Sequence, residues 1–234
     1  MDPLAELAVV VPIGPGDSAW RSLLPDLQVL PPEAEVVFVG TEPLATPPWT
    51  RPNWSWLQAP SGRAKQMNVG VRSTTRPHLW FLHADSRFAP DTLVTLAQSI
   101  REHPDALRYF DLAFLADGPR LMKLNQLGSW MRSHWGGMPF GDQGFCLRRA
   151  IWERLGGFDT HAPYGEDHLF VWKARQAGVQ LRPTGGTLRT SARKYRERGW
   201  LSTTTRHLRL TAMQAFPEWL KLVRARCPVL SRSG

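Results

Sequence analysis

Along the first hundred residues, short continuous apolar runs alternate with segments whose apolar positions recur every three or four places. Leu7-Ala8-Val9-Val10-Val11 stops at Pro12, and Glu35-Val36-Val37-Phe38-Val39 stops at Gly40. Trp54 to Gln58 and Leu79-Trp80-Phe81-Leu82 follow. Runs of β-branched and aromatic residues bounded by Gly and Pro predict strands buried on both faces, as in a parallel sheet. Between them the spacing predicts a helix from about Ser18 to Leu30, with Trp20, Leu23, Leu24 and Leu27 on one face and Pro25 as a kink point. A second, from Arg63 to Ser73, turns Ala64, Met67 and Val71 inward. A third opens at Pro90, a residue suited to the first helical position, and buries Leu93, Leu96, Ala97 and Ile100. Such alternation predicts a doubly wound α/β sheet, which takes ligands at the carboxyl ends of its strands.

Beyond residue 105 the pattern is mixed. It predicts a strand at Leu107–Leu115, a helix near Gly118–Arg132, a Gly turn at Trp135-Gly136-Gly137, and a short strand at Gly144–Leu147. A helix ending at Gly156-Gly157 comes next, then one from Glu166 to about Ala177 with Gly178 as its stop. The remainder reads as one or two helices broken at Pro217, and the four prolines of Pro43–Pro52 as an irregular loop.

Composition narrows the class. The two cysteines, Cys146 and Cys227, form no CxxC pair, which excludes a disulfide framework or a structural zinc site and suits a reducing cytoplasm. The opening Met1-Asp2-Pro3-Leu4 is acidic where a secretory signal is basic, and no apolar run reaches the ~18 residues needed to span a bilayer. The expectation is a soluble cytoplasmic protein, at most peripheral at a membrane. Charge is unevenly placed. Residues 1–181 hold 17 Lys/Arg against 18 Asp/Glu, whereas residues 182–234 hold 12 against 2. A basic end on a near-neutral body suits an anionic partner (substrate phosphates, a membrane surface or nucleic acid) or is simply a solvated tail.

Candidate chemistry lies at the joints of this pattern. Leu79–Leu82 runs into His83-Ala84-Asp85-Ser86, placing a carboxylate at the sheet rim, where it either ligates a hard cation or caps the following turn. Gly165-Glu166-Asp167-His168 opens a helix with two acids, explained by the helix dipole or by a general base in a cleft. Ser61-Gly62-Arg63-Ala64-Lys65-Gln66-Met67-Asn68 starts a helix suited to phosphate, or presents an ordinary solvated face; it has neither a P-loop nor a dinucleotide fingerprint. Gly141-Asp142-Gln143-Gly144 reads first as a turn, Thr190-Ser191-Ala192-Arg193-Lys194 opens the basic region, and Trp130 and Trp135 are sugar-stacking platforms or core.

Taken in order, Gly62 to Asn68, Phe81 to Ser86, Gly141-Asp142-Gln143, Gly156-Gly157-Phe158, Gly165-Glu166-Asp167 and Thr190 to Arg193 resemble family 2 glycosyltransferases. The similarity runs from about residue 7 to 215 and is greatest to the bacterial branch associated with radical-SAM and selenodomain proteins. It implies one domain of GT-A fold over residues 1–234, with a nucleotide-binding half (1–115), an acceptor and catalytic half (116–181) and a basic C-terminal helical extension (182–234). It also implies an inverting transfer assisted by Mg²⁺ or Mn²⁺, from a nucleotide sugar to a hydroxyl acceptor, lipid-linked if the basic end rests on a membrane. By the same resemblance Asp85 ends the family's Asp-x-Asp metal motif, with His83 in place of its first acid and Ala84 between, while Asp167 matches the base and Glu166 its partner. Pro12, Gly40, Arg63, Lys65, Asn68 and Arg193 fall on the donor side, and Gly141, Asp142, Gln143 and Trp135 on the acceptor-side loop. Two departures stand out. Pro12-Ile13-Gly14-Pro15-Gly16-Asp17 replaces a Pro-x-x-Asn-Glu segment, and Gly40 replaces the aspartate that holds the nucleotide base, leaving Asp17 and Glu42 as substitutes. Two other classes compete: a GT-A-fold binding or regulatory protein that has lost catalysis, and a basic nucleic-acid-binding module, for which no reader motif is present.

Overall fold

The computed structural model describes residues 2–226; Cys227 and the last residues of the C-terminal extension lie outside them. Seven strands are present: β1 (Leu7–Pro12), β2 (Glu35–Gly40), β3 (Trp54–Gln58), β4 (His78–Phe81), β5 (Leu107–Phe114), β6 (Cys146–Arg148) and β7 (Leu181–Thr190). Among the described residues eight α-helices accompany them, α1 (Trp20–Leu27), α2 (Arg63–Arg72), α3 (Pro90–Glu102), α4 (Met122–His134), α5 (Arg149–Arg154), α6 (Glu166–Gln176), α7 (Arg193–Arg198) and α8 (Trp200–Arg226), with one short 3-10 turn at Gly141–Gln143.

The strands form one sheet in the order β3-β2-β1-β4-β6-β5-β7. β3, β2, β1 and β4 run parallel; β6 is antiparallel to both its neighbours, and β7 pairs parallel to β5. Side-chain alternation along β1 explains its unbroken apolar run. Leu7, Val9 and Val11 join one core with Trp20, Leu23, Leu27, Leu93 and Leu96 of α1 and α3. Ala8 and Val10 join a second core with Met67 and Val71 of α2 and Phe170 and Val171 of α6. The sheet is covered on both faces, so both residue sets must be apolar. Arg108, fully buried on β5, is satisfied by the last carbonyls of α3 (Ser99, Ile100) and those of His103 and Ala106. A cation there meets the negative end of a helix.

Two stretches differ from the sequence pattern. Residues 182–190, which read as the start of the helical extension, form with Leu181 the edge strand β7; its buried positions alternate through Thr184, Gly186, Leu188 and Thr190. β7 ends the sheet, with β5 as its ladder partner and one further bridge from Arg189 to Arg87, so Pro183 and two glycines are tolerated, and they hide the strand signal. The C-terminal helix is not broken at Pro217 but runs through it. Proline there forfeits a bond to the carbonyl of Met213, and Met213, Phe216 and Pro217 are all exposed, so the loss falls on the solvent side of the helix.

Candidate functional site

Parallel strands β1, β2 and β4 open on one edge, and the chain leaving β4 carries His83 and Asp85 there. Arg63, at the first turn of α2, donates from Nε to Glu166 Oε1 at 2.6 Å and brings Nη1 within 3.2 Å of His83 Nε2. Glu166 and Asp167 open α6 behind Gly165, a glycine at φ 62°. Asp167 Oδ2 accepts the Gly141 N–H at 2.6 Å and its Oδ1 the His168 N–H at 2.9 Å. A Cβ at Gly141 would stand 2.8 Å from Asp167 Oδ2 and 3.1 Å from His83 Nε2, so only glycine lets the turn close on the acid. The pair of acids therefore does more than complement the helix dipole.

The electrostatics of these groups interlock. Burial, then the positive Arg63, push the His83 imidazole down to about 4 against the pull of Asp85 and Asp167, so it is neutral at pH 7. Burial acts to raise the Asp167 carboxyl, but Arg63, the Gly141 N–H, His83 and the His168 N–H hold it below the usual carboxylate range. Asp142 goes the other way. Burial and the like charges of Asp167 and Asp85 push it up to about 6, despite Arg132 and Arg63, and its Oδ1 is buried without a hydrogen-bond partner. Asp85 and Asp167 thus act on the same two groups, His83 and Asp142.

Asp85 is half-buried, and among the described residues no N–H or side chain donates to it; the turn after β4 closes instead through Ser86 N–H and His83 O. Turn capping does not explain this acid. No three His, Cys, Asp or Glu side chains among the described residues converge on a point where they could hold a cation by themselves. One free carboxylate at the strand end nevertheless fits Mg²⁺ or Mn²⁺, which bind through one or two carboxylates and complete their shell with substrate phosphates and water.

Other residues singled out by the sequence are placed differently. Asn68 is buried and both ends of its amide are spent on the Phe158 backbone, so it clamps α2 to the Gly-Gly-Phe segment rather than reaching the open edge. Gln143 is likewise internal. It donates to Phe110 O and accepts from Ser133, the Phe140 N–H and Arg132, pinning the turn that presents Asp142. Arg193 points outward to Glu197 at 3.6 Å. Ser191 and the Ala192 N–H are held by Asp117, and it is the next residue, Lys194, that lies in the fields of Arg63 and Asp85. Lys65 is exposed, Ala84 is buried next to His83 and Asp85, and Trp135, 73% exposed, meets the Trp130 ring edge-on. Arg132 was not singled out by sequence: it stacks its guanidinium 3.3 Å over Phe140 and faces Asp142 and Asp167.

Pro12 and Gly40 end their strands on this edge, joined by Gln66, whose amide donates to Ile13 O and Val39 O. A Cβ at Gly40 would fall inside the Trp56 indole, which is fixed by its bond to Glu42 O. Asp17, a candidate substitute, spends its Oδ1 on the Ala19 N–H in the turn that leads into α1. Gly40→Asp is therefore expected to lower stability by about 1–3 kcal/mol through overpacking. Urea unfolding of Gly40→Asp with and without Trp56→Ala checks this; equal losses in both backgrounds would refute the steric account.

No family model and no curated protein sequence matches the chain. Its structure is similar to S. aureus TarS 1–349, at 18% identity and TM-score 0.60 over 79% of this chain and 60% of that one. It is similar to the same protein in complex with UDP-GlcNAc, at 19% identity and TM-score 0.59 over 79% and 58%. The mannosyltransferase PcManGT from Pyrobaculum calidifontis, in complex with GDP-Man and Mn²⁺, matches at 18% identity and TM-score 0.64 over 94% of this chain and 68% of that one. The chain thus spans less than two thirds of the length of the TarS structures. What it shares with all three is the fold, which is the GT-A fold of glycosyltransferases.

Proposed function

We propose that the chain is an inverting glycosyltransferase that moves a sugar from a nucleoside-diphosphate sugar to an acceptor hydroxyl. The observation that supports this most is the convergence of an unpartnered rim carboxylate, Asp85, and a half-buried ionised acid, Asp167, on the same His83–Asp142 cluster at the carboxyl edge of the sheet. Two solved neighbours are complexes with UDP-GlcNAc and with GDP-Man and Mn²⁺, which accords with such a donor.

In this reading Asp85 would hold a divalent cation, which when bound offsets negative charge on the departing diphosphate. Arg63 and Lys194 add positive charge on the same side, and Glu166 fixes the direction of the Arg63 guanidinium. Asp167 accepts the proton of the acceptor hydroxyl as its oxygen forms a bond to the anomeric carbon. The carbon–oxygen bond to the diphosphate breaks on the opposite face, its electron pair leaving with the phosphate, so the configuration inverts. A second proton acceptor is favoured by a specific observation: Asp142 offers a buried oxygen with no partner and a pKa of about 6, closer to the optimum for a base near neutral pH. The pH profile of kcat separates the two, since a limb near pH 6 follows from Asp142 and a rate sustained well below pH 5 from Asp167.

Donor binding tests the reading as a whole. Calorimetry or thermal shift with UDP-GlcNAc, GDP-Man and related nucleotide sugars is expected to show binding that needs Mn²⁺ or Mg²⁺. A donor at 100 times its dissociation constant should stabilise the protein by about 2.7 kcal/mol. Asp85→Ala should abolish the metal-dependent part. Unchanged affinity in that variant would remove Asp85 from the ligand role, and no donor binding with either metal would favour a scaffold without catalysis.

A further inference from the structure

All but two of the exposed large apolar side chains among the described residues, Val29 and Val94 being the exceptions, lie on α8 or on α4 with its two capping residues. On α4 they recur at Leu121, Leu124, Leu127 and Met131 and end at Trp135, a spacing that keeps them to one side of the helix. On α8 they are Leu201, Leu208, Met213, Phe216 and Trp219, between 48% and 66% exposed. The two helices meet at Asn125, which accepts from Trp200 Nε1 and donates to Thr204 Oγ1. The opposite side of α8 is packed on the body through Thr203 and through Gln214, which bonds His168 and the Tyr164 carbonyl, and Leu222 is buried near the end of the helix. The apolar side is therefore presented outward by a helix whose other side is fixed.

Charge says what meets it. From residue 182 onward the chain holds 12 Lys/Arg against only Glu197 and Glu218, and Arg206 and Arg209 are exposed beside Leu208. A second copy seated on the same face would set these arginines against one another. Nucleic acid would meet the arginines but leave the apolar side chains in water. An interface of anionic headgroups over acyl chains satisfies both sets at once, as with helices that lie in a membrane surface. No helix among the described residues is long and apolar enough to cross a bilayer, so the arrangement is one of lying on a membrane.

We propose that α4 and α8 together form a docking surface for an anionic lipid bilayer. The proposal goes beyond the sequence expectation of a basic C-terminal contact by including α4, and it does not depend on which sugar, if any, is transferred. α8 is one layer from the helix that carries Asp167, since Gln214 bonds the neighbouring His168. Docking would therefore set the carboxyl edge of the sheet close to a lipid-borne hydroxyl.

Vesicle sedimentation with the full chain tests it, using phosphatidylcholine alone and phosphatidylcholine with about one third phosphatidylglycerol. Binding is expected only to the anionic vesicles and should weaken as salt is raised. Leu208→Glu with Phe216→Glu, and separately Leu124→Glu with Leu127→Glu, should each weaken it at least about tenfold. Arg206→Glu should weaken it about fivefold. All are exposed positions, so circular dichroism and thermal unfolding should match wild type. No binding at low salt, or binding that all three variants retain, would overturn the proposal. So would a concentration-dependent dimer in analytical ultracentrifugation that Leu208→Glu dissolves, because a second copy would then cover this face. Retention on duplex DNA equal to that on vesicles would point to nucleic acid instead and overturn it too.

Discussion

Asp167→Asn is expected to lower kcat by about a thousandfold, within the 10²–10⁴ range that a positioned general base contributes, while leaving metal-dependent donor affinity largely unchanged. The substitution preserves size and leaves one side-chain oxygen to accept the Gly141 N–H, the contact that closes the turn onto α6 at 2.6 Å. Arg63 keeps its partner Glu166, so the cation on the donor side stays in place. What is lost is the negative charge that takes the acceptor proton. Steady-state kinetics with a donor identified by calorimetry, together with the titration itself, separate the two effects. A variant turning over at near wild-type rate would assign the proton to another group, with Asp142 next in line. Because Arg63 and two backbone N–H groups hold the Asp167 carboxyl low, wild-type activity limited by this acid should persist below pH 5.

Much of the frame that positions these groups was readable from pattern alone. β1, β2 and β4 are buried on both faces, so their sequences are unbroken apolar runs, and α3 announces itself with Pro90 and a regular inward face. β7 was not readable, because a strand at the end of the sheet, laddered to β5 and otherwise bridged only through Arg189, tolerates Pro183 and two glycines and carries outward arginines. The continuity of α8 was hidden for a related reason: a proline breaks a helix where the freed carbonyl is buried, and the pattern does not show that Met213 faces out.

The site divides along the same line. Asp85, Glu166 and Asp167 sit where a strand ends or a helix begins, and those joints are visible in sequence. Whether an amide or a cation near a joint faces the cleft depends on long-range contacts. Gln143 and Asn68 look equally available in sequence, yet each is consumed by a backbone segment, Phe110 and Phe158, brought in by the fold. The choice of Lys194 over Arg193 is made by Asp117, which grips Ser191 and Ala192 from the end of β5 and so sets the phase of α7. Arg132 reads as an ordinary cation in the last turn of a helix; the Phe140 ring beneath it and its bonds to Met138 O, Ser129 and Gln143 are set by the fold.

Asp142→Asn should make the protein more stable at neutral pH while lowering its activity. In the folded chain the Asp142 carboxyl titrates near 6 because it is buried beside Asp167 and Asp85, whereas an unfolded aspartate titrates at about 3.9. Between these values the folded state keeps a proton that the unfolded chain has released. Its contribution is therefore fully present below about pH 4, falls as pH rises through the window, and is gone above pH 6. A shift of about two units corresponds to roughly 3 kcal/mol. Asparagine resembles the neutral acid and has no such window. The stability difference between variant and wild type should accordingly be near zero at pH 4, grow to about 3 kcal/mol by pH 7 and then stay level. Urea titrations at several pH values, with chelator present and no donor, measure it, and ionisable groups remote from the cluster cancel in the difference. A difference that does not change with pH would show that this carboxyl is not raised. If it does grow, the chain carries a costly ionised carboxylate with an unpartnered oxygen at the centre of its candidate site, a strain that stability alone would not retain and that contact with a substrate hydroxyl would relieve.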